Sequence, residues 1–68
     1  MDYKISLKAA RVNAKLTQKD VAKYMNVTKE TISNWENAKS FPKANSLVTL
    51  CEFYGVPLDN IFLPKRFN

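Results

Sequence analysis

A short pattern that occurs twice, eleven residues apart, constrains the fold most strongly: residues 16–21 (Leu-Thr-Gln-Lys-Asp-Val) and residues 27–32 (Val-Thr-Lys-Glu-Thr-Ile). In each copy the first threonine can accept a hydrogen bond from a backbone N–H of the first helical turn. The apolar residue before it can pack against the apolar residue that closes the pattern, which fixes how the chain enters the helix. The pattern therefore predicts that two helices begin at about Thr17 and Thr28.

The spacing of these two starts leaves the earlier helix only about two turns before the chain reverses at Tyr24-Met25-Asn26. Asn26 can adopt a positive φ at little cost, as a tight turn requires. The later helix is then expected to cross the earlier one at a steep angle. A short helix, a tight turn and a second helix form the helix-turn-helix arrangement, in which the second helix reads DNA.

Further helices are predicted from apolar spacing and from the positions of glycine and proline. Residues 4–15 lack both and belong to two apolar stripes, so this helix is expected to be largely surrounded. Residues 44–54 form a fourth helix, which Gly55 closes in a left-handed conformation. Pro57 fits the first turn of a short fifth helix that runs through Phe62. The predicted fold class is all-α, a compact five-helix bundle without strands.

Helical spacing also predicts which side chains are buried. The first helix carries the stripes Ile5-Ala9-Val12-Leu16 and Tyr3-Leu7-Ala10-Ala14. The second, third and fourth helices carry Val21, Ala22 and Met25; Thr31, Ile32 and Trp35; and Leu47, Leu50, Cys51 and Tyr54. Five aromatic residues are expected in the core rather than stacked on single-stranded bases: Tyr24, Trp35, Phe53, Tyr54 and Phe62. Phe62, Leu63 and Phe67 are harder to bury and could form a self-association surface.

Length and composition limit the class of protein. At 68 residues, residues 1–63 are expected to form one domain and residues 64–68 a short C-terminal tail. No apolar run approaches the roughly 18 residues that a membrane span needs. Polar residues interrupt the start of the sequence, unlike a secretory signal. We therefore expect a cytoplasmic protein with no membrane partner.

Catalysis and metal binding are not expected. Cys51 is the only cysteine and there is no histidine, so neither a disulfide nor a Cys/His zinc site can form within one chain. Cys51 is expected to be a small buried hydrophobe. No nucleophile and base occur in a recognisable arrangement. We expect no catalytic residue, no metal, no cofactor and no small-molecule substrate.

The charge balance and one helix face suggest nucleic acid. The formal net charge is +5, which favours a polyanion partner, although a solvated lysine coat gives the same balance. On the outward side of the third helix, about residues 29–37, Asn34 can bond to adenine, Lys29 to guanine and Glu30 to the cytosine amine in the major groove. The alternative is a solvated face on which Glu30 only complements the helix dipole.

Other polar residues could contact the DNA backbone. Thr17 and Gln18 lie at the positive start of the second helix, where a phosphate can bind, although Thr17 is first of all a helix cap. Asn37, Lys39 and Lys43 flank the connection after the third helix and could hold the other edge of the groove. Loop lysines are also often simply solvated.

Arg11 and Glu36 lie beside apolar stripes and suggest a structural contact. An ion pair between them would fix the angle of the third helix. The alternative is two independent surface charges, which would stabilise the fold by only about 0–1 kcal/mol.

Taken together, several of these residues resemble the phage repressor and Cro family, also called xenobiotic-response-element-type helix-turn-helix proteins. They are Leu16-Thr17-Gln18, Val21-Ala22, Val27-Thr28, Thr31-Ile32-Ser33, Trp35-Glu36 and Pro42. The match covers about residues 3–63. The resemblance implies a five-helix fold and a transcriptional regulator, a repressor, that binds a palindromic double-stranded DNA operator as a homodimer.

The resemblance also implies residue roles. Gln18 would touch phosphate, Arg11 would pair with Glu36, and backbone amides would hold phosphates at Asn37, Ala38 and Lys39. Base contacts would come from Thr28, Lys29, Glu30, Ser33 and Asn34. Many members have glycine where this chain has Lys15, Asn26 and Ala38, and only Asn26 tolerates a positive φ cheaply. Glu30 would repel phosphates, so it either selects cytosine or lowers affinity.

A protein-interaction module, such as an antitoxin or an adaptor with the same fold, is the competing function. It predicts an exposed apolar patch and weak, salt-insensitive binding to duplex DNA. RNA binding is a weaker third alternative, because an α-helix does not easily enter the A-form major groove.

Overall fold

The computed structural model describes residues 4–63, which form four α-helices and one 3-10 turn. The helices are α1 (Leu7–Asn13), α2 (Gln18–Met25), α3 (Lys29–Glu36) and α4 (Ala44–Tyr54), and the 3-10 turn spans Leu58–Asn60. Within this range there is no strand, only an isolated parallel bridge between Ile5 and Ile61. The all-α prediction is confirmed, whereas the prediction of five helices is not.

Side-chain caps set the starts of the first three helices. Ser6 Oγ accepts a hydrogen bond from Ala9 N at 3.0 Å, so α1 begins at Leu7. Thr17 accepts from Asp20 N at 3.0 Å, and the Asp20 carboxylate accepts from Thr17 N at 2.9 Å, which completes a capping box. Thr28 accepts from Thr31 N at 3.1 Å. The predicted starts of α2 and α3 are therefore confirmed.

A small apolar core lies between the helices. Its buried members are Leu7, Ala10, Val21, Ala22, Ile32, Leu50, Cys51, Tyr54 and Ile61. Trp35, Met25 and Leu47 pack against it while remaining partly exposed. Cys51 is buried as a small hydrophobe, as predicted, and burial raises the pKa of its thiol.

The predicted first helix is present but shorter than residues 4–15, and the prediction that it buries two stripes is wrong. Ile5 is not helical, because its backbone is engaged at the other end of the chain: Ile5 N donates to Asn60 O and Phe62 N donates to Ile5 O, each at 2.8 Å. Val12 is 54% exposed, so α1 buries one face only.

The predicted fifth helix is a single 3-10 turn. Pro57 precedes it as the N-cap instead of lying inside its first turn. Phe62 N is used in the bridge to Ile5, so it cannot continue a helix. Residues 61–63 consequently run on in non-helical backbone.

Two aromatic residues predicted in the core are exposed. Phe62 is 51% exposed because it follows the bridge at the edge of the domain, and Tyr24 is 56% exposed. Tyr24 stacks on Phe53, with ring centroids 3.8 Å apart, and so joins α2 to α4 at the surface. Tyr54 is buried and Phe53 packs against the core, as predicted.

Some predictions fall on residues that the structure does not describe. The tail at residues 64–68, Phe67 within it, and Tyr3 in the second stripe lie outside residues 4–63. In the described part of the chain, no helix is long and apolar enough to cross a membrane.

Candidate nucleic-acid interface

The turn between α2 and α3 is tight because Asn26 adopts left-handed backbone, with φ 59° and ψ 45°. Val27 N then donates to Ala22 O at 2.9 Å, which ends α2, and the next residue, Thr28, caps α3. The turn thereby holds the start of α3 close to the end of α2. Asparagine supplies the positive φ here, as the sequence predicted.

α3 presents one apolar and one polar side. Ile32 is buried at 1% exposure and Trp35 packs against the core. On the other side, Lys29, Glu30 and Asn37 are exposed and Ser33 and Asn34 are half-buried. Four of these residues are expected base contacts and Asn37 is an expected phosphate contact, and they share one side of the helix. Thr28, the fifth expected base contact, is the exposed N-cap at the start of the helix.

Hydrogen bonds within the chain already occupy some of these polar groups. Thr28 Oγ1 lies 2.9 Å from Thr31 Oγ1 in addition to capping the helix. Ser33 Oγ accepts from Asn37 Nδ2 at 3.2 Å. Among residues 4–63, the side chains of Lys29, Glu30 and Asn34 make no hydrogen bond or ion pair. Their donors and acceptors therefore point to solvent or to a partner.

A buried ion pair joins α1 to the last residue of α3. Arg11 Nε lies 2.7 Å from Glu36 Oε2, and Arg11 Nη2 donates to Glu36 Oε1 at 3.3 Å. Arg11 Nη1 donates to Leu16 O at 2.8 Å, which ties the same guanidinium to the loop before α2. The Glu36 side chain is 2% exposed. The side-chain hydrogen bond to Glu36 raises the pKa of Arg11 above its usual value.

Gln18 makes a contact that the sequence did not predict. Its Nε2 donates to Glu36 Oε1 at 2.9 Å, so the first residue of α2 is held to the last residue of α3. Gln18 is half-buried as a result. No local spacing signals this contact, since the two residues are 18 positions apart.

The loop after α3 folds back on that helix. Asn37 N donates to Ser33 O at 2.9 Å, Ala38 N to Trp35 O at 3.4 Å, and Lys39 N to Asn34 O at 2.9 Å. The three backbone amides that the family resemblance assigns to phosphates therefore have acceptors within the chain. Lys39 and Lys43 are exposed on this loop, so the side chains carry its positive charge.

Two residues in this region are strained where a glycine would not be. Ala38 has φ 60° and Lys15 has φ 62°, both in the left-handed region. These are two of the three positions at which the family resemblance leads us to expect glycine, and the third is Asn26. The chain thus adopts a positive φ at all three positions without glycine.

The described residues offer no metal site, since no group of three or more His, Cys, Asp or Glu side chains comes together among them.

Comparison with known proteins identifies one family model and two relatives. A family model described as helix-turn-helix matches residues 7–61. The HTH-type transcriptional activator BcrR of Enterococcus faecalis is 31% identical over 61 residues, which are 90% of this chain and 30% of that protein. The uncharacterized HTH-type transcriptional regulator MJ0272 of Methanocaldococcus jannaschii is 35% identical over 60 residues, 88% of this chain and 91% of that protein. No solved structure matches the chain.

The two relatives differ in how much of them this chain represents. It spans under a third of the Enterococcus activator, at 30%, and nearly the whole of the Methanocaldococcus regulator, at 91%. The shared part in both includes α2, the turn and α3, because the aligned region covers about nine-tenths of this chain.

Proposed function

Because the chain belongs to the Cro/C1-type helix-turn-helix family, we propose that it is a transcriptional regulator that binds double-stranded DNA sequence-specifically and reads the major groove with α3. The resemblance drawn from the motif residues is thereby confirmed. One observation carries the proposal: Lys29, Glu30 and Asn34 leave their polar groups without partners among residues 4–63, on a helix whose opposite side is packed in the core.

Direct base contacts are assigned first to these three side chains, because each has free hydrogen-bonding capacity. Lys29 donates to guanine O6 or N7, and Asn34 bonds bidentately to adenine. Thr28 and Ser33 complete the predicted set through the remaining capacity of their hydroxyls, which also hydrogen-bond within the chain. We therefore expect the largest sequence preference from Asn34, Lys29 and Glu30.

Phosphate contacts are assigned to both flanks of α3. The first N–H groups of α2, at Gln18, have no helical acceptor, and Thr17 places its hydroxyl beside them. Beyond α3, the exposed side chains of Asn37, Lys39 and Lys43 are assigned to phosphates at the other edge of the same groove. Ala38 contributes only if its backbone N–H, whose bond to Trp35 O is a long 3.4 Å, turns to a phosphate.

The proposal also includes a homodimer on the operator and repression as the mode of regulation. A homodimer on a palindromic operator would place two copies of α3 in successive major grooves, about one helical turn apart. Occupying a promoter suffices for repression, whereas activation needs a further contact with the transcription machinery, so we assign repression. The Enterococcus relative is named an activator. Transcription of a reporter with and without the protein separates the two modes.

The expected compartment is the cytoplasm, where bacterial and archaeal chromosomes lie.

The test of the proposed function is binding to duplex DNA selected from a random pool, compared with an unselected duplex, at two salt concentrations. We expect the selected duplex to bind at least about 1000-fold more tightly, within the usual range of specificity ratios. Affinity for both should fall as salt rises, because phosphate contacts release counterions. If no sequence is enriched and binding is weak at both salt concentrations, the proposal is wrong.

A protein-interaction module is the second candidate, and one observation favours it. Leu58, Phe62 and Leu63 are 47%, 51% and 36% exposed near the chain's last described residues. Exposed apolar side chains of this size suit a protein surface. This function predicts salt-insensitive, unselective association with duplex DNA, so the same titration distinguishes it from the first.

A further inference from the structure

Among the acidic residues of α2 and α3, Glu30 differs from the others in having no partner within residues 4–63. Residues 4–63 contain five carboxylates: Asp20, Glu30, Glu36, Glu52 and Asp59. On α2 and α3, Asp20 is committed to the Thr17 capping box and Glu36 is buried against Arg11. Glu30 is exposed and makes no hydrogen bond or ion pair in this range. It is therefore the one acceptor-only group that α3 can offer to a partner.

We infer that Glu30 is the specificity-determining residue that makes this protein require a cytosine at one position of its DNA site. The inference rests on the proposed function, since it assigns a base to a side chain of the same α3 surface. An acidic residue at that position can either select cytosine or only lower affinity, and we assign selection of cytosine to Glu30.

The chemistry of the base edges supports cytosine over the other three bases. An ionised carboxylate only accepts hydrogen bonds. In the major groove, guanine presents two acceptors and thymine an acceptor and a methyl group, so a carboxylate facing either is repelled. Adenine presents its amine beside the N7 acceptor, which faces the second carboxylate oxygen. Cytosine presents its amine donor with no acceptor on its own edge, so one carboxylate oxygen can accept from that amine without the other facing an acceptor of the same base.

The position of Glu30 on α3 suits this role. Thr28 is the N-cap, so Glu30 is the second residue of the helix, in the first turn. In a helix-turn-helix the N-terminal residues of the second helix contact base edges. Lys29 and Asn34 supply hydrogen-bond donors on the same surface, and Glu30 adds a group that only accepts hydrogen bonds.

Its negative charge also disfavours the wrong sites. An unpaired carboxylate near DNA is repelled by phosphates, and on a non-matching base it stays unpaired after losing water. Such a group lowers affinity for every duplex that lacks the right donor and so sharpens discrimination. If Glu30 served only the α3 dipole, its removal would change stability and general affinity but not the preferred base.

The experiment is selection from a random duplex pool with the wild-type chain, Glu30→Ala and Glu30→Gln. Glu52→Gln is the matched control, because it makes the same charge change on an exposed residue of α4. We expect a wild-type consensus with a C·G pair that loses its preference with Glu30→Ala and becomes A·T with Glu30→Gln, since glutamine bonds bidentately to adenine. Glu52→Gln should keep the wild-type consensus.

Titration of single-base variants of the selected duplex gives the size of the effect. Replacing that C·G pair should weaken wild-type binding by about 5- to 150-fold and Glu30→Ala binding by less than about 3-fold. A consensus that is unchanged in both Glu30 variants would overturn the inference while leaving sequence-specific DNA binding intact. No enrichment by the wild-type chain would instead overturn the proposed function, and the inference with it.

Discussion

Ala38 carries a backbone conformation that its side chain does not favour. Its φ of 60° lies in the left-handed region, as do those of Lys15 and Asn26 at 62° and 59°. Asparagine tolerates this region, whereas most L-residues pay roughly 1–2 kcal/mol to enter it. The hydrogen bond from Lys39 N to Asn34 O closes the loop around Ala38 and holds it there.

Replacing Ala38 with glycine should therefore stabilise the protein. Glycine relieves the strain but costs about 0.5–1 kcal/mol of backbone entropy, so a net gain of about 0.5–1 kcal/mol is expected in the free energy of unfolding by urea. Ala9→Gly is the control, because Ala9 lies in α1 with helical backbone, and it should lower stability. Equal losses in both variants would mean that Ala38 is not strained.

Single substitutions also separate base contact from phosphate contact on the α3 surface. Asn34→Ala should cost about 1–3 kcal/mol on the best duplex and relax the preference at one base pair. Lys39→Ala should weaken binding to all sequences alike and make the salt dependence shallower, because one phosphate contact is lost. Titration of matched and mismatched duplexes at several salt concentrations measures both. Equal loss of preference in the two variants would contradict the assignment.

At the scale of elements, three of them meet at one carboxylate. Glu36 at the end of α3 accepts from Arg11 of α1 and from Gln18 of α2. Because the Glu36 side chain is 2% exposed, its removal leaves a guanidinium largely buried and unpaired. This carboxylate thus fixes the position of α3 relative to both other helices.

Glu36→Ala should accordingly destabilise the fold by roughly 3–5 kcal/mol, whereas Gln18→Ala should cost about 1 kcal/mol. The double variant Arg11→Met with Glu36→Leu should recover most of the larger loss, because it removes both charges together. Glu52→Ala on exposed α4 surface is the control and should stay within about 0.5 kcal/mol. Urea unfolding measures all four, and a Glu36→Ala loss no larger than the control's would refute the role given to the pair.

The elements that the sequence predicted well are those with local signals. α2, α3 and α4 follow from caps, staples and Gly55, all within a few residues of the helix ends. The start of α1 and the supposed fifth helix were wrong because Ile5 pairs with Ile61 across nearly the whole described chain. The Gln18–Glu36 bond was missed for the same reason. Contacts between distant residues leave no periodicity in the sequence.

At the scale of the whole molecule, Tyr54 links stability to alkaline pH. It is 7% exposed in the core. Burial, followed by the Glu36 charge, raises the pKa of Tyr54 to about 12. An unfolded tyrosine ionises at about 10. Between these two values the unfolded chain binds fewer protons than the folded one, so the free energy of unfolding falls as pH rises.

The contribution of Tyr54 should thus be fully present below about pH 10 and be lost as pH rises through about 12. Urea unfolding from pH 9 to pH 12 should show a steep fall in stability that is shallower in Tyr54→Phe. Tyr24→Phe is the matched control, because Tyr24 is 56% exposed, and it should keep the wild-type slope. A slope unaffected by Tyr54→Phe would mean that another group governs the alkaline loss.

The bridge between Ile5 and Ile61 has a consequence for trimming the domain. Its hydrogen bonds, from Ile5 N to Asn60 O and from Phe62 N to Ile5 O, belong to both ends of the described chain at once. Removing residues from either terminus as far as this bridge loses the same two hydrogen bonds. A chain cut back at both termini therefore loses no more of these two hydrogen bonds than a chain cut back at a single terminus.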